Sequence, residues 1–162
     1  MSWEDDSVEM LRIALNDLDA PYTYDDERLQ KLFLMACMYV QKDVQLNNTY
    51  IISITEVSLS PDPTTTDPIE YSLLNMAVLK SLCILYMSDL RLASGKGVDI
   101  RDGGTQLSLK NYYTEKSDNA KTACELYLEY KDKLIMQDTI LGEAIVTPFT
   151  HDRLNILPSW LP

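Results

Sequence analysis

Apolar residues recur at helical spacing along four stretches of this chain. Val8, Leu11, Ala14, Leu15 and Leu18 predict a first helix, opened by a capping-box pair, Ser2 and Asp5. Pro21 in "DAPY" ends it, because proline disfavours helical backbone in the residue before it. Thr23 and Asp26 have the same capping spacing, and Leu29, Leu32, Phe33, Ala36, Val40 and Val44 then form one stripe that runs out at "LNNTY". Asp67 as N-cap, Pro68 at the first helical position and Glu70 two places on predict the start of a third helix. It runs to about Ala93 and stops at Gly95. Its apolar residues, among them Leu73, Leu74, Met76, Val78, Leu82, Leu85, Met87 and Leu90, cover most of the circumference. Such a helix is central in a bundle or is covered by other subunits. A fourth helix starts between Leu109 and Tyr113, where Ala120, Ala123, Tyr127, Tyr130 and Leu134 alternate spacings of three and four to make one seam.

Three segments break this pattern. Tyr50 to Leu59 ("YIISITEVSL") is rich in β-branched residues and ends at the prolines of "SPDPTTTDP", which predicts a strand or an extended arm in need of an edge partner. "VDIRDGGTQLSL" predicts a β-hairpin turning at Asp102–Gly103, with Val98 and Ile100 level with Leu107 and Leu109. From residue 137 no helical period remains and three prolines appear, yet apolar residues persist: Ile145, Val146, Phe149, Leu154, Ile156, Leu157, Trp160 and Leu161. A disordered tail is poor in such residues, so this one is expected to lie against its own domain or a neighbour. The predicted fold is mainly α, a small bundle of about four helices with a short β-hairpin and an extended C-terminal arm. Residues 1–136 form the helical domain, with the extended strand or loop at 48–66 and the hairpin at 96–109. Residues 137–162 form the arm.

Charge and chemistry narrow the function. With 25 acids against 14 bases the net charge is −11, a surface that repels the phosphate backbone and suits a wall that DNA passes without sticking. Cys37, Cys83 and Cys124 are an odd number with no C-x-x-C pair, and read as buried free thiols of a reducing compartment. The N-terminus is acidic and has no apolar core of a signal peptide. The longest apolar run, "LLNMAVLKSLCILYM", is short and interrupted by Asn75, Lys80 and Ser81, so no membrane span is expected. His151 is the single histidine, and no nucleophile motif accompanies it. "SGKG" lacks the Walker spacing and "DIRDGG" lacks the calcium-loop acids. The acids at Glu4–Asp6 and Asp25–Glu27 sit at helix starts, where they suit the dipole. No catalytic residue, metal ligand or cofactor site is predicted, and the chain is read as a non-enzyme. The ten tyrosines, Tyr86, Tyr112, Tyr113, Tyr127 and Tyr130 among them, belong either to the core or to an interface.

Taken together, "DDERLQKLFLMACMYV", the long apolar "PIEYSLLNMAVLKSLCILYMSDLRLAS", "GVDIRDGGTQLSLKNYYTEK" and the closing "NAKTACELYLEYKDKL" resemble in layout the head-to-tail adaptor (connector, or head-completion) proteins of tailed bacteriophages. The likeness covers about Val8 to Met136, with "DGGTQLSL" nearest to a signature. The resemblance implies a structural virion protein at the head–tail neck, made in the host bacterial cytoplasm. It would form an oligomeric ring, usually twelvefold, between the portal protein and the tail or stopper protein, extending a channel through which double-stranded DNA passes without specific binding. Portal binding by the C-terminal arm, through Ile145, Val146, Phe149, Leu154, Ile156, Leu157, Trp160 and Leu161, is part of that expectation. Subunit contacts would come from the hairpin (Val98, Ile100, Asp102, Gly103, Gly104, Leu107 and Leu109) and from the strand (Tyr50, Ile52 and Ile54). The alternatives are another phage neck or tail-completion protein, or a non-viral helical module that binds a partner protein.

Overall fold

In the computed structural model the described residues are 2–95, 101–102, 105–106 and 109–150, with side chains described for 2–92 and 114–136. Among the described residues the chain is mainly helical, with four helices and the expected short β-hairpin, to which a second antiparallel hairpin is added. Helix α1 spans Trp3–Leu15. Ser2 occupies the N-cap position but its side chain makes no capping bond. The Trp3 N–H instead donates to Asp62 Oδ2 at 3.4 Å, so a distant loop meets one unpaired donor of the first turn. The helix stops well before Pro21. Asn16 takes the left-handed conformation (φ 55°), and the N–H groups of Asn16 and Asp17 return to the carbonyls of Ile13 and Arg12. Asparagine adopts that conformation at lower cost than most residues, which makes it a natural helix stop. Leu18 therefore falls outside the helix and is exposed.

Helix α2 spans Asp26–Asp43, with Asp25 rather than Thr23 at its N-cap. Its buried residues are Leu29, Phe33, Leu34, Ala36, Cys37 and Val40, close to the predicted stripe. The Phe33 ring stacks on Trp3 with centroids 6.2 Å apart, which locks α1 to α2. The run from Tyr50 is not a single strand seeking an outside partner. β1 (Ile51–Ser53) and β2 (Ser58–Ser60) pair with each other, Ile52 opposite Leu59, across a turn in which Val57 has φ 49°. A β-branched residue rarely takes positive φ, so "ITEV" carries none of the usual turn residues that would announce this hairpin. Ile52 and Leu59 rest on the core.

Helix α3 spans Tyr71–Gly95. Asp67 and Pro68 lie ahead of it, and Glu70 is the residue whose carbonyl accepts the first helical bond, from the Leu74 N–H. Leu73, Leu74, Met76, Ala77, Ser81 and Leu85 are buried, with α1, α2 and α4 packed around them. Tyr71–Leu92 is long and apolar enough to cross a membrane by length and composition, at a mean hydropathy of 1.4, more than the interrupted apolar run suggests. Here it is the central helix of the bundle, and such core helices share that composition.

β3 (Arg101–Asp102) and β4 (Thr105–Gln106) pair antiparallel and lead into α4, Leu109–Thr150. The register sets Arg101 opposite Gln106 and Asp102 opposite Thr105, so Asp102, predicted to lie in the turn, belongs to the strand. The seam of α4 is the predicted one: Ala120, Ala123 and Tyr127 are buried, and Tyr130 and Leu134 pack against the core. The helix does not end near residue 136. It continues to Thr150, so the first part of the predicted arm is helical rather than extended. "QDTILGEAIV" holds no proline, and its lone glycine costs only about 1 kcal/mol against alanine, too little to stop a helix already propagating.

The cysteines also depart from expectation. Antiparallel packing of α3 on α4 brings Cys83 and Cys124 to a Cα–Cα distance of 4.7 Å, and their sulfurs are bonded. Cys37 stays free and buried. The partners are separated by 41 residues and sit in no local motif, so only the helix register could reveal them. A cross-link closing a loop of that length is worth about 2–4 kcal/mol. Alkylation of the denatured, unreduced chain is expected to label one thiol and, after reduction, three. Three labelled thiols before reduction would remove the cross-link.

Candidate interaction surface

Three buried polar clusters organise the surface between the helices. Arg12 lies on α1 and is only 6% exposed. Its Nη1 donates to Asp17 Oδ2 at 3.1 Å, its Nη2 to the Tyr24 carbonyl at 3.0 Å and to Asp26, and its guanidinium lies 3.8 Å from the Tyr22 ring centroid. One side chain thereby fixes the whole α1–α2 connection. Asp17 also accepts the Thr23 N–H at 2.9 Å and the Tyr24 N–H at 3.3 Å, and these bonds with the Arg12 charge hold its carboxyl below the usual range. The Tyr24 hydroxyl donates to Asp89 at 3.0 Å, and burial pushes its pKa up to about 12.

Glu70 is the second cluster, 3% exposed at the head of α3. It accepts from the Asn47 N–H at 3.0 Å, Asn48 Nδ2 at 3.1 Å and the Tyr50 hydroxyl at 3.2 Å. Burial and the Glu70 charge raise the Tyr50 pKa to about 12. The third cluster joins α2 to α4. The Tyr127 hydroxyl donates to Asp43 at 2.7 Å, and Lys80 Nζ lies 4.4 Å from the Tyr127 ring centroid and 5.0 Å from that of Tyr39. Burial first, then the Asp43 bond, raises the Tyr127 pKa. All three tyrosines are hydrogen-bond donors here, fixing helices rather than presenting a phenolate. The Cys37 thiol is pushed up by burial and is unsuited to attack. Among the described residues no group of three His, Cys, Asp or Glu is placed to hold a metal ion.

Beside a polar opening at Arg12, lined also by Asp5, Val8, Glu9, Tyr22, Asp26 and Gln30, two further openings are apolar. A groove of about 430 Å³ opens where α1, α3 and α4 meet, lined by Met10, Ile13, Asn75, Val78, Leu79 and Tyr130. A second, of about 290 Å³, lies between α2, the first hairpin and α3, with Leu32, Met35, Ile54, Ile84 and Leu85 as walls and Arg28 and Lys31 among its lining. Leu126, Leu128, Ile135 and Met136 are exposed on α4 and Tyr71 on α3. Partners across the α3–α4 seam keep one register, Cys83 with Cys124 and Lys80 over Tyr127. Extended by the same steps, it sets Met136 level with Tyr71, where α3 begins, and residues 137–150 of α4 run on beyond that level.

The proposed contact residues fall unevenly on this surface. Tyr50 is 3% exposed and bonded to Glu70, so it belongs to the core and is withdrawn from any subunit contact. Ile52 and Ile54 are half-buried against the same core. Asp102 lies in β3 and Leu109 begins α4. Val98, Ile100, Gly103, Gly104 and Leu107 lie outside the described residues, as do Leu154, Ile156, Leu157, Trp160 and Leu161. Ile145, Val146 and Phe149 stand on the last turns of α4. The two grooves, and the buried pairing of Arg12 and Glu70, are not legible in the sequence because each depends on residues from separate elements. No family model, curated protein or solved structure matches the chain.

Two outcomes follow from the polar clusters. Glu70→Leu strands a buried tyrosine hydroxyl and two amide donors and is expected to cost about 1–3 kcal/mol for each donor left without water. Glu70→Gln keeps an acceptor and should cost less, as read by urea unfolding. Because the Asp17 pKa is lowered by folding, its stabilisation is complete above the unfolded carboxylate range near 4 and is lost as pH falls through the lower folded value. Thermal unfolding of Asp17→Asn is expected to lack that part of the acid-side loss. An unchanged acid profile contradicts the assignment.

Proposed function

We propose that this chain is a structural assembly subunit of the head-to-tail adaptor kind. It forms a ring, twelvefold in the usual case, between the portal protein and the tail or stopper protein of a phage particle, and works without catalysis. The observation that carries the reading is α4. A 42-residue helix pairs with a 25-residue α3 and runs past its end, carrying Ile145, Val146 and Phe149 away from the bundle. A helix that outruns its partner in this way has a use in reaching another chain. Exposed apolar residues on α4 and the open grooves support the same reading, since apolar patches of this kind mark association sites. The net charge of −11 suits a channel wall that DNA crosses without adhering. Within the virion another neck or tail-completion component shares these requirements.

The second groove favours a different class. Apolar walls with Arg28 and Lys31 close by suit an acidic amphipathic helix, as in a module that binds a partner protein outside any virion. The two readings separate on mixing the chain with the portal protein of the same phage. Size-exclusion chromatography with light scattering is expected to show one discrete complex of many copies. Absence of any complex from low to high salt overturns the adaptor reading.

A further inference from the structure

We infer that the groove between α1, α3 and α4 receives the C-terminal segment of a second copy of this chain, residues 154–161, so that copies join head to tail. The groove is lined by Met10, Ile13, Asn75, Val78, Leu79 and Tyr130 and holds about 430 Å³, with no charged residue in its lining among the described residues. Tyr71, one turn before Asn75 on α3, is 64% exposed and extends the same apolar face. The segment "LNILPSWL" is likewise free of charge and supplies Leu154, Ile156, Leu157, Trp160 and Leu161. Between two copies that each carry a net charge of −11, an uncharged segment in an uncharged groove is a contact that brings no acids together.

Reach decides whose segment it is. In the α3–α4 register the near end of the groove, at Asn75, lies level with residue 132 of α4, which ends at Thr150. At 1.5 Å per residue that is about 27 Å from the helix end. A fully extended chain covers at most about 3.6 Å per residue, so Leu154 can return about 14 Å and Leu157 about 25 Å before any allowance for the reversal. Leu154, Ile156 and Leu157 therefore cannot regain their own groove, whereas Trp160 and Leu161, with at most about 36 and 40 Å of chain, can reach its near end, so the segment cannot seat whole in the groove of its own chain. A neighbour's groove carries no such constraint. Each copy then offers one groove and one segment, a heterologous contact that closes into a ring or runs on as a filament. The inference deepens the ring reading by naming the contact between copies, and it needs no portal protein.

The experiment uses the full chain alone. Sedimentation velocity across roughly a hundredfold range of concentration is expected to show growing assemblies. A segment variant, Leu157→Ser with Trp160→Ser, and a groove variant, Ile13→Glu with Asn75→Glu, are each expected to weaken self-association at least tenfold. Ile13 and Asn75 are both exposed, so circular dichroism should show the fold retained. Mixing the two variants leaves one intact groove and one intact segment per pair and is expected to restore a 1:1 dimer and nothing larger. A wild-type chain that stays monomeric throughout, variants that associate like wild type, or a mixture that forms no dimer would each overturn the contact. A monomeric chain that still forms the portal complex would remove this contact and leave the adaptor reading standing.

Discussion

The close antiparallel approach of α4 to α3 is the constraint on which the rest of the molecule depends. Ala120 and Ala123 are small enough to let the helices meet tightly, and Cys83–Cys124 bonds across the same level. Further along, the seam residues become Tyr127 and Tyr130, and bulk replaces close approach. The groove opens at that wider end, with Tyr130 as one wall and Asn75, Val78 and Leu79 as another. A tapered seam thus accounts both for a close helix contact at Cys83–Cys124 and for the opening of about 430 Å³ beyond it. The same register fixes where α3 runs out of length and leaves α4 to continue without it.

The paired charges hold this geometry together. Arg12 ties the α1–α2 connection, Glu70 gathers the segment between α2 and the first hairpin, and Asp43 ties the end of α2 to α4 through Tyr127. Burying a charge is costly unless every lone pair and proton finds a partner. No buried side-chain nitrogen or oxygen among the described residues lacks one. Such clusters add little net stability compared with apolar packing, but they tolerate few alternative arrangements, so each connection is held in one conformation. Arg12 and Asp26 also line a polar opening beside α1 with Asp5, Glu9, Tyr22 and Gln30, so this cluster is paired but not sealed from the surface.

What the sequence discloses is set by how local each interaction is. The stripe Leu29–Phe33–Ala36–Val40 and the seam Ala120–Ala123–Tyr127 repeat within single helices, and both were legible. The second hairpin is legible because Asp102–Gly103 announces a turn, although the register draws Asp102 into the strand opposite Thr105. The first hairpin was hidden by a turn built from Ile54, Thr55, Glu56 and Val57, and it emerges only because Ile52 and Leu59 share a core to rest on. Asp67 and Pro68 gave a strong start signal that lost to Glu70, whose side chain is held inside by Asn47, Asn48 and Tyr50. The disulfide and both grooves join residues far apart in the chain, and no spacing in the sequence encodes them.

Acidity and apolar exposure are usually treated as opposing properties, one favouring solubility and the other association. In this chain they act at different ranges. Repulsion among acids extends about 8–10 Å at ordinary ionic strength and keeps unselected encounters apart. Apolar burial acts only on contact and rewards just those orientations in which neutral surface meets neutral surface. An acidic subunit with a few uncharged patches therefore discriminates between orientations better than a neutral subunit with the same patches, because misaligned pairs bring acids together. In the proposed adaptor ring, the charge that would keep DNA from sticking to a channel wall would also restrict how subunits meet, so that a single compositional bias would serve both requirements.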